Sequence, residues 1–344
     1  MSKSLGNSPD PIDLMNVYGA DGVRMGLMLC TSAGNDILFD ETQMEQGRNF
    51  CNKIWNAFRL VRSWQRDEHL EQEETSRQAV SWFGQLLSAT REEAGDLFSK
   101  YRLSEVLMLL YKRFWDDFCS WYLEIIKPAG NVSKTIDAAT YDNTLAFFDL
   151  LLHLLHPFMP FITEELWQNL KERRDGDSIM VSPVPQTGPY DARELDNFSR
   201  LQELIVAVRG VRQNRQIPGK ILLKLYVKGH FPQTLHGIAL RMGGLESVQT
   251  VTEAPQEGNV YAFLVGTTGF FIPLGNLLDK EEERTKLNAE LAYHRKFLAT
   301  VDKKLSNDSF LQRAPGDIVA VERKKRSDAI TRIAALEQQL DLSQ

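Results

Sequence analysis

At 344 residues, 43% of them apolar, the chain is long enough for two or three hydrophobic cores and too rich in core-forming side chains to be disordered. A formal net charge of -6 excludes a protein that coats nucleic acid indiscriminately, though the total leaves the distribution of charge open. No apolar run reaches the ~20 residues a membrane span needs, the start MSKSLGNSPDP lacks the apolar centre of a secretory signal, and Cys30, Cys51 and Cys119 form no CxxC pair; a cytoplasmic protein with reduced thiols, no disulfide framework and no metal site is expected.

The first residues form a loop rich in Ser and Gly. Asp10 is then placed to cap a short helix with Pro11 at its first position and Gly19 at its end, and Asp21 to cap a second helix carrying Val23, Leu27 and Met28. Gly34 and Asn35 mark a turn, with a short extended piece at Ile37 to Phe39. Asp40 and Gln43 resemble a capping box, from which Met44, Phe50, Ile54, Trp55, Phe58 and Val61 carry a long helix to about Trp64. Asp67 to Arg77 is charged and reads as an exposed connection, and Val80 to Phe98 as another helix.

Ser104 to Pro128 carries the strongest helical signal. Leu107, Tyr111, Phe114, Phe118, Trp121 and Ile125 alternate at steps of four and three, Val106, Leu110, Trp115, Tyr122 and Ile126 widen that stripe, Ser104 stands at the N-cap position, and Lys127 and Pro128 end the run. So broad an apolar face needs several partner helices, which predicts a helical bundle with this helix near its centre. A loop over Gly130 to Thr140, a helix over Thr144 to His156 and a helix capped by Thr163 complete it near Arg174. Asp175 to Tyr190, rich in Gly and Pro, reads as a linker.

The character then changes. A helix to about Arg215 precedes strand-like Ile221 to Val227, amphipathic Thr234 to Arg241, and further strands at Ser247 to Val251, Tyr261 to Val265 and Phe270 to Ile272, which together predict a small α+β domain. In the last stretch, Leu287, Leu291, His294, Leu298, Val301 and Leu305 keep a four-three rhythm that Asn307 to Pro315 breaks and Val319, Glu322, Arg326, Ala329, Ile333, Leu336 and Leu340 resume. This is the pattern of an antiparallel coiled-coil hairpin on the order of 40 Å long. His294 on the seam reads as a packing residue, since no second metal-type residue is spaced to join it.

Catalytic constellations are scarce: no phosphate-binding Gly-rich loop, HExxH or nucleophile elbow occurs, and Asp116 and Asp117 are helix neighbours whose side chains diverge. Charge placement is more informative. Arg209, Arg212 and Arg215 form one basic edge at a helix end, either a solvated face or a phosphate contact. Lys303, Lys304, Arg313, Arg323, Lys324, Lys325 and Arg326 gather near the hairpin tip while Glu281 to Glu283, Glu337 and Asp341 lie toward its base, which makes the tip the attractive end for a phosphate backbone. Arg48, Asn49, Asn52, Lys53 and Asn56 share one side of a helix, suited to base edges and phosphates of a single-stranded loop or, equally, to hydrogen bonds between helices.

MSKSLGN at the start, YGADGVR, NFCNKIWNAFR, WDDFCSWYLE and HPFMPFITEELW together resemble the downstream half of class I aminoacyl-tRNA synthetases, in the branch containing the valine, isoleucine and leucine enzymes. FIPLGNLLD, KKLSNDSFLQRAP and ERKKRSDAITRIAALE look like the terminal helical arm of the valine enzymes, and the cysteine zinc module expected of a close isoleucine relative is missing. The resemblance spans essentially the whole chain. It implies that Met1 lies inside a KMSKS motif and is an internal methionine of a longer protein, with the HIGH motif, nucleotide-binding fold and editing domain upstream. It assigns Lys3, flanked by Ser2 and Ser4, to the departing pyrophosphate of ATP, where an ammonium stabilises the transition state more than the ground state.

The expected organisation is mainly α: connective helices after the KMSKS loop over 1–39, a helical anticodon-binding bundle over 40–174, a linker over 175–193, a small α+β domain over 194–273 and a coiled-coil arm over 274–344. The expected function is the tRNA-binding part of a monomeric ligase acting on tRNA(Val), with ATP and Mg2+ used by the whole enzyme and neither expected here. The alternatives are the equivalent part of an isoleucine or leucine enzyme, and a free-standing helical module that binds RNA or protein without ligase activity.

Overall fold

Helix α1 (Pro11–Tyr18) opens the described part of the chain as expected: the Asp10 carboxylate accepts from the Ile12 amide at 2.8 Å, and Gly19 ends the helix at a φ of 74°. The computed structural model describes residues 9–31, 39–128, 134–255, 259–275, 280–306 and 316–342. The turn at Gly34 and Asn35 and the extended piece before Phe39 lie outside them. The chain divides into two compact units, Met1–Asp196 and Asn197–Gln344.

In the first unit, α2 (Ala20–Cys30) packs on α3 (Glu41–Arg62), whose first turn is closed by the Asp40 carboxylate on the Thr42 amide. Gly22, Gly26, Gly47 and Met44 let the two backbones touch: a Cβ built on Gly47 would stand 2.5 Å from the carbonyl oxygen of Gly22. Asp21 does not cap α2, where Gly19 holds that position. Its buried carboxylate reaches across the fold to α8 (Pro160–Leu170) and accepts from the amides of Phe161 at 3.3 Å and Ile162 at 2.6 Å. Thr163, expected to cap α8, instead donates to the Met159 carbonyl from within the helix. Arg24 adds a second clamp, donating to the carbonyls of Pro157 and Phe158.

Helix α4 (Glu74–Ser99) and α7 (Ala138–Leu155) each begin about a turn and a half before the apolar rhythm suggests, α7 because Asp137 accepts from the Thr140 amide. β1 (Gln65–Asp67) and β2 (Thr135–Asp137) pair in parallel, β2 within the segment expected to be a loop and β1 where the expected helix gives way to the exposed connection.

The organising helix is α5 (Leu103–Lys112), a π-helical stretch (Arg113–Tyr122) and α6 (Leu123–Ile126) in sequence. Arg102 rather than Ser104 is its N-cap. The broad apolar face is buried as expected except at Tyr111, Trp115 and Trp121, which are half-buried. Phe114, Phe118, Tyr122 and Ile126 follow one another at steps of four, which would drift by about 40° per step around an α-helix. Wider turns keep them facing inward, so Tyr122 is fully buried and Trp121 only half-buried. Around them Phe83 stacks on Tyr122 at 4.9 Å and Phe148 meets Phe114 and Phe118 edge-on at 5.6 and 5.5 Å. Inside this aromatic core the Tyr122 hydroxyl shares a 2.7 Å hydrogen bond with that of Thr144.

The segment read as a linker is seated on the first unit. Ile179 is buried with its amide directed at Glu164, Gln186 accepts from Arg91 at 3.0 Å, and the Asp191 amide donates to Gln85. Helix α9 (Ala192–Asn214) starts within the span assigned to that linker.

In the second unit the strands fall close to where alternation places them: β3 (Leu223–Lys228), β4 (Leu245–Thr250), β5 (Val260–Val265) and β6 (Thr268–Pro273). The sheet order is β4-β3-β6-β5, with β3 and β4 parallel, joined through α10 (His236–Gly243), and the other pairs antiparallel. Buried Leu223, Leu225 and Val227 alternate with exposed Lys224 and Lys228 on β3. Helices α11 (Lys280–Leu305) and α12 (Gly316–Leu342) then pair as the hairpin. Leu287, Leu291 and Leu336 form a buried cluster with Ile333 and Leu340 against it. Arg295 to Glu337, Arg332 to Glu290 and Arg326 to Asp302, each at 2.6 Å, cross between the helices.

Candidate nucleic-acid interface

On α3 the hydrophobic residues Met44, Phe50, Ile54, Ala57, Phe58 and Val61 face the core, which turns Asn49, Asn52, Asn56 and Arg59 outward as one exposed face. Among the described residues none of the three amides has a hydrogen-bond partner within the chain, so their donors and acceptors meet solvent. Lys53 is half-buried at the edge of this face with its ammonium 5.2 Å from the centre of the Trp115 ring. Arg48 is half-buried too, 3.1 Å from Glu45 and 5.6 Å from the Tyr18 ring centre.

Sequence reasoning passed over Arg59 and placed Trp55 in the apolar stripe. The structure leaves Trp55 41% exposed, because one residue beyond Ile54 turns it about 100° away from the core.

The basic edge on α9 separates into unlike parts. Arg212 is engaged within the fold: its guanidinium donates to the carbonyls of Gly243, Pro218, Ile221 and Gly244, the last at 2.6 Å. With its N–H groups so engaged, little remains for a ligand. Arg209 is exposed and donates to the Met242 carbonyl, and Arg215 lies 5.7 Å from the centre of the Tyr261 ring.

On the hairpin, Lys303, Lys304, Arg323, Lys324, Lys325 and Arg326 are all exposed. Arg326 is paired with Asp302, while Lys325 and Lys304 approach the buried seam residue Glu322 at 2.8 and 3.8 Å. Lys303, Arg323 and Lys324 have no ion-pair partner among the described residues. Arg313 lies outside the described residues, as do Ser2, Lys3 and Ser4.

Burial pushes the thiols of Cys51 and Cys119 up to about 12, which makes them poor nucleophiles. Among the described residues no group of three or more His, Cys, Asp or Glu side chains is arranged to hold a metal ion, and no helix is long and apolar enough to cross a membrane.

Two families match the chain: the anticodon-binding domain of tRNA ligase over residues 81–227 and the valyl tRNA synthetase tRNA binding arm over residues 279–342. Among curated proteins, the valine–tRNA ligase of Porphyromonas gingivalis is 53% identical, the match covering 99% of this chain and 38% of that protein. The valine–tRNA ligase of Parabacteroides distasonis is 50% identical with the same coverage, and that of Geobacillus kaustophilus 36% identical over 99% of this chain and 40% of its own length. A crystal structure of a ternary complex of Agrobacterium radiobacter K84 agnB2 LeuRS with tRNA and LeuAMS has a TM-score of 0.39 and 22% identity, covering 57% of this chain and 22% of that one, a likeness too distant to carry an argument.

A helical bundle matching an anticodon-binding domain, followed by a two-helix arm, defines the class as the tRNA-binding regions of an aminoacyl-tRNA synthetase. Near 50% identity along the whole chain narrows this: it belongs to the valyl-tRNA synthetase family, as the counterpart of its C-terminal region. The chain spans about two fifths of the length of the curated relatives it matches.

Proposed function

We propose that the chain holds tRNA(Val) for a valine–tRNA ligase, with the exposed face of α3 reading the anticodon loop and the hairpin gripping the phosphate backbone. The observation that carries this is the α3 face itself, where Asn49, Asn52 and Asn56 present unpartnered amides beside Lys53, Arg48 and Arg59. Single-stranded loops offer base edges to such amides and phosphates to such cations. Lys303, Lys304, Arg313, Arg323, Lys324, Lys325 and Arg326 supply the second contact through charge alone. Arg209 and Arg215 on α9 are further phosphate contacts, and the guanidinium of Arg212 is the one most engaged with main-chain carbonyls. Of the parts expected from the sequence, the bundle and the arm are the two that hold the RNA.

The reaction of the whole enzyme is ATP-dependent attachment of valine to tRNA(Val) in the cytoplasm, by a monomer. ATP and Mg2+ belong to that whole enzyme. Lys3, with Ser2 and Ser4, stabilises the departing pyrophosphate there. The test is direct. The purified chain is expected to bind a tRNA(Val) transcript in preference to tRNA(Ile) and tRNA(Leu), with affinity falling steeply as salt rises, and to catalyse no valine-dependent pyrophosphate exchange. Failure to bind at low ionic strength overturns the holding role, and exchange activity overturns the division of labour.

A further inference from the structure

We propose that Trp55 is a stacking platform for an unpaired base on the exposed face of α3, an inference that rests on the reading of that face as the site for a single-stranded RNA loop. Helix α3 lies outside the span matched by the anticodon-binding family, so nothing there assigns this residue a role.

An indole is costly to leave in water, yet Trp55 stands 41% exposed in the middle of a 22-residue helix. Its surroundings are wrong for an apolar docking patch. Asn52 three residues before it, Asn56 beside it, and Arg59 and Arg62 four and seven residues after it are all exposed and polar. They are right for a nucleotide: the ring offers a π surface to a base, the amides offer donors and acceptors to its edge, and the guanidinium groups offer charge to the flanking phosphates.

The ring is also held in place before any ligand arrives. Its centre lies 6.4 Å from that of Phe58, tilted by 42°, and Phe58 meets Phe148 edge-on at 6.0 Å inside the bundle core. A platform braced by the core loses little freedom when a base settles on it.

The experiment uses the full chain, a tRNA(Val) transcript and a hairpin bearing the tRNA(Val) anticodon loop with 2-aminopurine at each loop position in turn. Trp55→Ala is expected to weaken binding by roughly 5- to 100-fold, Trp55→Phe to keep it within about 3-fold, and both to leave the salt dependence unchanged because no phosphate contact is lost. One loop position is expected to lose 2-aminopurine fluorescence on binding the unaltered chain and to keep it with Trp55→Leu. If Trp55→Ala and Trp55→Leu bind as the parent does while the combined Asn49→Ala, Asn52→Ala, Asn56→Ala variant is weakened, the platform is overturned and the reading of the α3 face stands. If none of these variants is weakened, both fall. Should Trp55→Ala fail to fold, the unaltered chain decides: binding with no quenching at any loop position overturns the platform.

Discussion

Replacing Gly47 with Ala should destabilise the first unit although it improves the local helix. In isolation, Gly to Ala within a helix stabilises by about 0.8–1.0 kcal/mol. At Gly47, however, the new methyl would stand 2.5 Å from the carbonyl oxygen of Gly22 and 2.9 Å from its Cα, both main-chain atoms of α2. Comfortable carbon contacts begin near ~3.5 Å, so the two helices have to part by roughly 1 Å. Helix α2 cannot yield alone, because Asp21 ties it to α8 and Arg24 ties it to Pro157 and Phe158. Overpacking of this kind costs about 1–3 kcal/mol, and backbone against backbone belongs at the upper end. The difference is a net loss of about 2 kcal/mol. Gly95, exposed in α4 with nothing within 4 Å of a built Cβ, is the control, and Gly95→Ala should stabilise by up to about 1 kcal/mol. Tryptophan fluorescence in a urea titration isolates the effect, since Trp55, Trp64, Trp82, Trp115, Trp121 and Trp167 all lie in the first unit. With a urea slope of about 2 kcal/mol per M, the Gly47→Ala midpoint should fall by roughly 1 M. A midpoint at or above that of the parent would refute the claim that α2 and α3 meet through their main chains.

Asp21→Ala should lose about 1–3 kcal/mol by stripping the Phe161 and Ile162 amides of their acceptor, while Asp21→Asn, which can still accept, should cost less; urea titration separates the two. Burial outweighs those amides and raises the Asp21 carboxyl above the ordinary carboxylate value. Between the two values the folded chain retains a proton the unfolded chain has lost, so stability contributed by this group falls as pH rises through that window. The stability advantage of the parent over Asp21→Asn should shrink in the same direction, and a flat difference would sink the assignment. Arg212→Lys should lower the melting temperature of the second unit, because an ammonium cannot serve four carbonyls at once, yet leave the salt dependence of RNA binding as it was; circular dichroism and a salt titration read the two effects. Removing Lys303, Arg323 or Lys324 should flatten the plot of log affinity against log salt by about 0.7–0.9 per charge, and an unchanged slope would take the hairpin out of the interface.

What could be read in the residue order was whatever is decided within a turn or two. Asp10 and Asp40 cap the helices that follow them because donor and acceptor are two residues apart, and the arm declares itself because its seam repeats. Asp21 looked like another local cap and is not: its partners lie about 140 residues away, a pairing that no short window contains. Arg212 looked like a solvated cation for the same reason, since its carbonyls come from the ends of elements that only the folded sheet brings together. Trp121 was placed in the core on the assumption of 3.6 residues per turn, which the π winding breaks. At the interface, the amide face of α3 was legible from spacing, but the exposure of Trp55 depends on which flank the neighbouring helices leave open.

The widened winding from Arg113 to Tyr122 amounts to spare length stored in the middle of a rod. Losing one residue there would let the rod relax to ordinary pitch while both ends kept their faces. The same loss in α4, which has no such slack, would swing every later side chain by about 100°. The central rod of this bundle is therefore the part whose length can change by one without rewriting its surroundings, and a scan of single deletions along α4 and the rod would display that asymmetry directly.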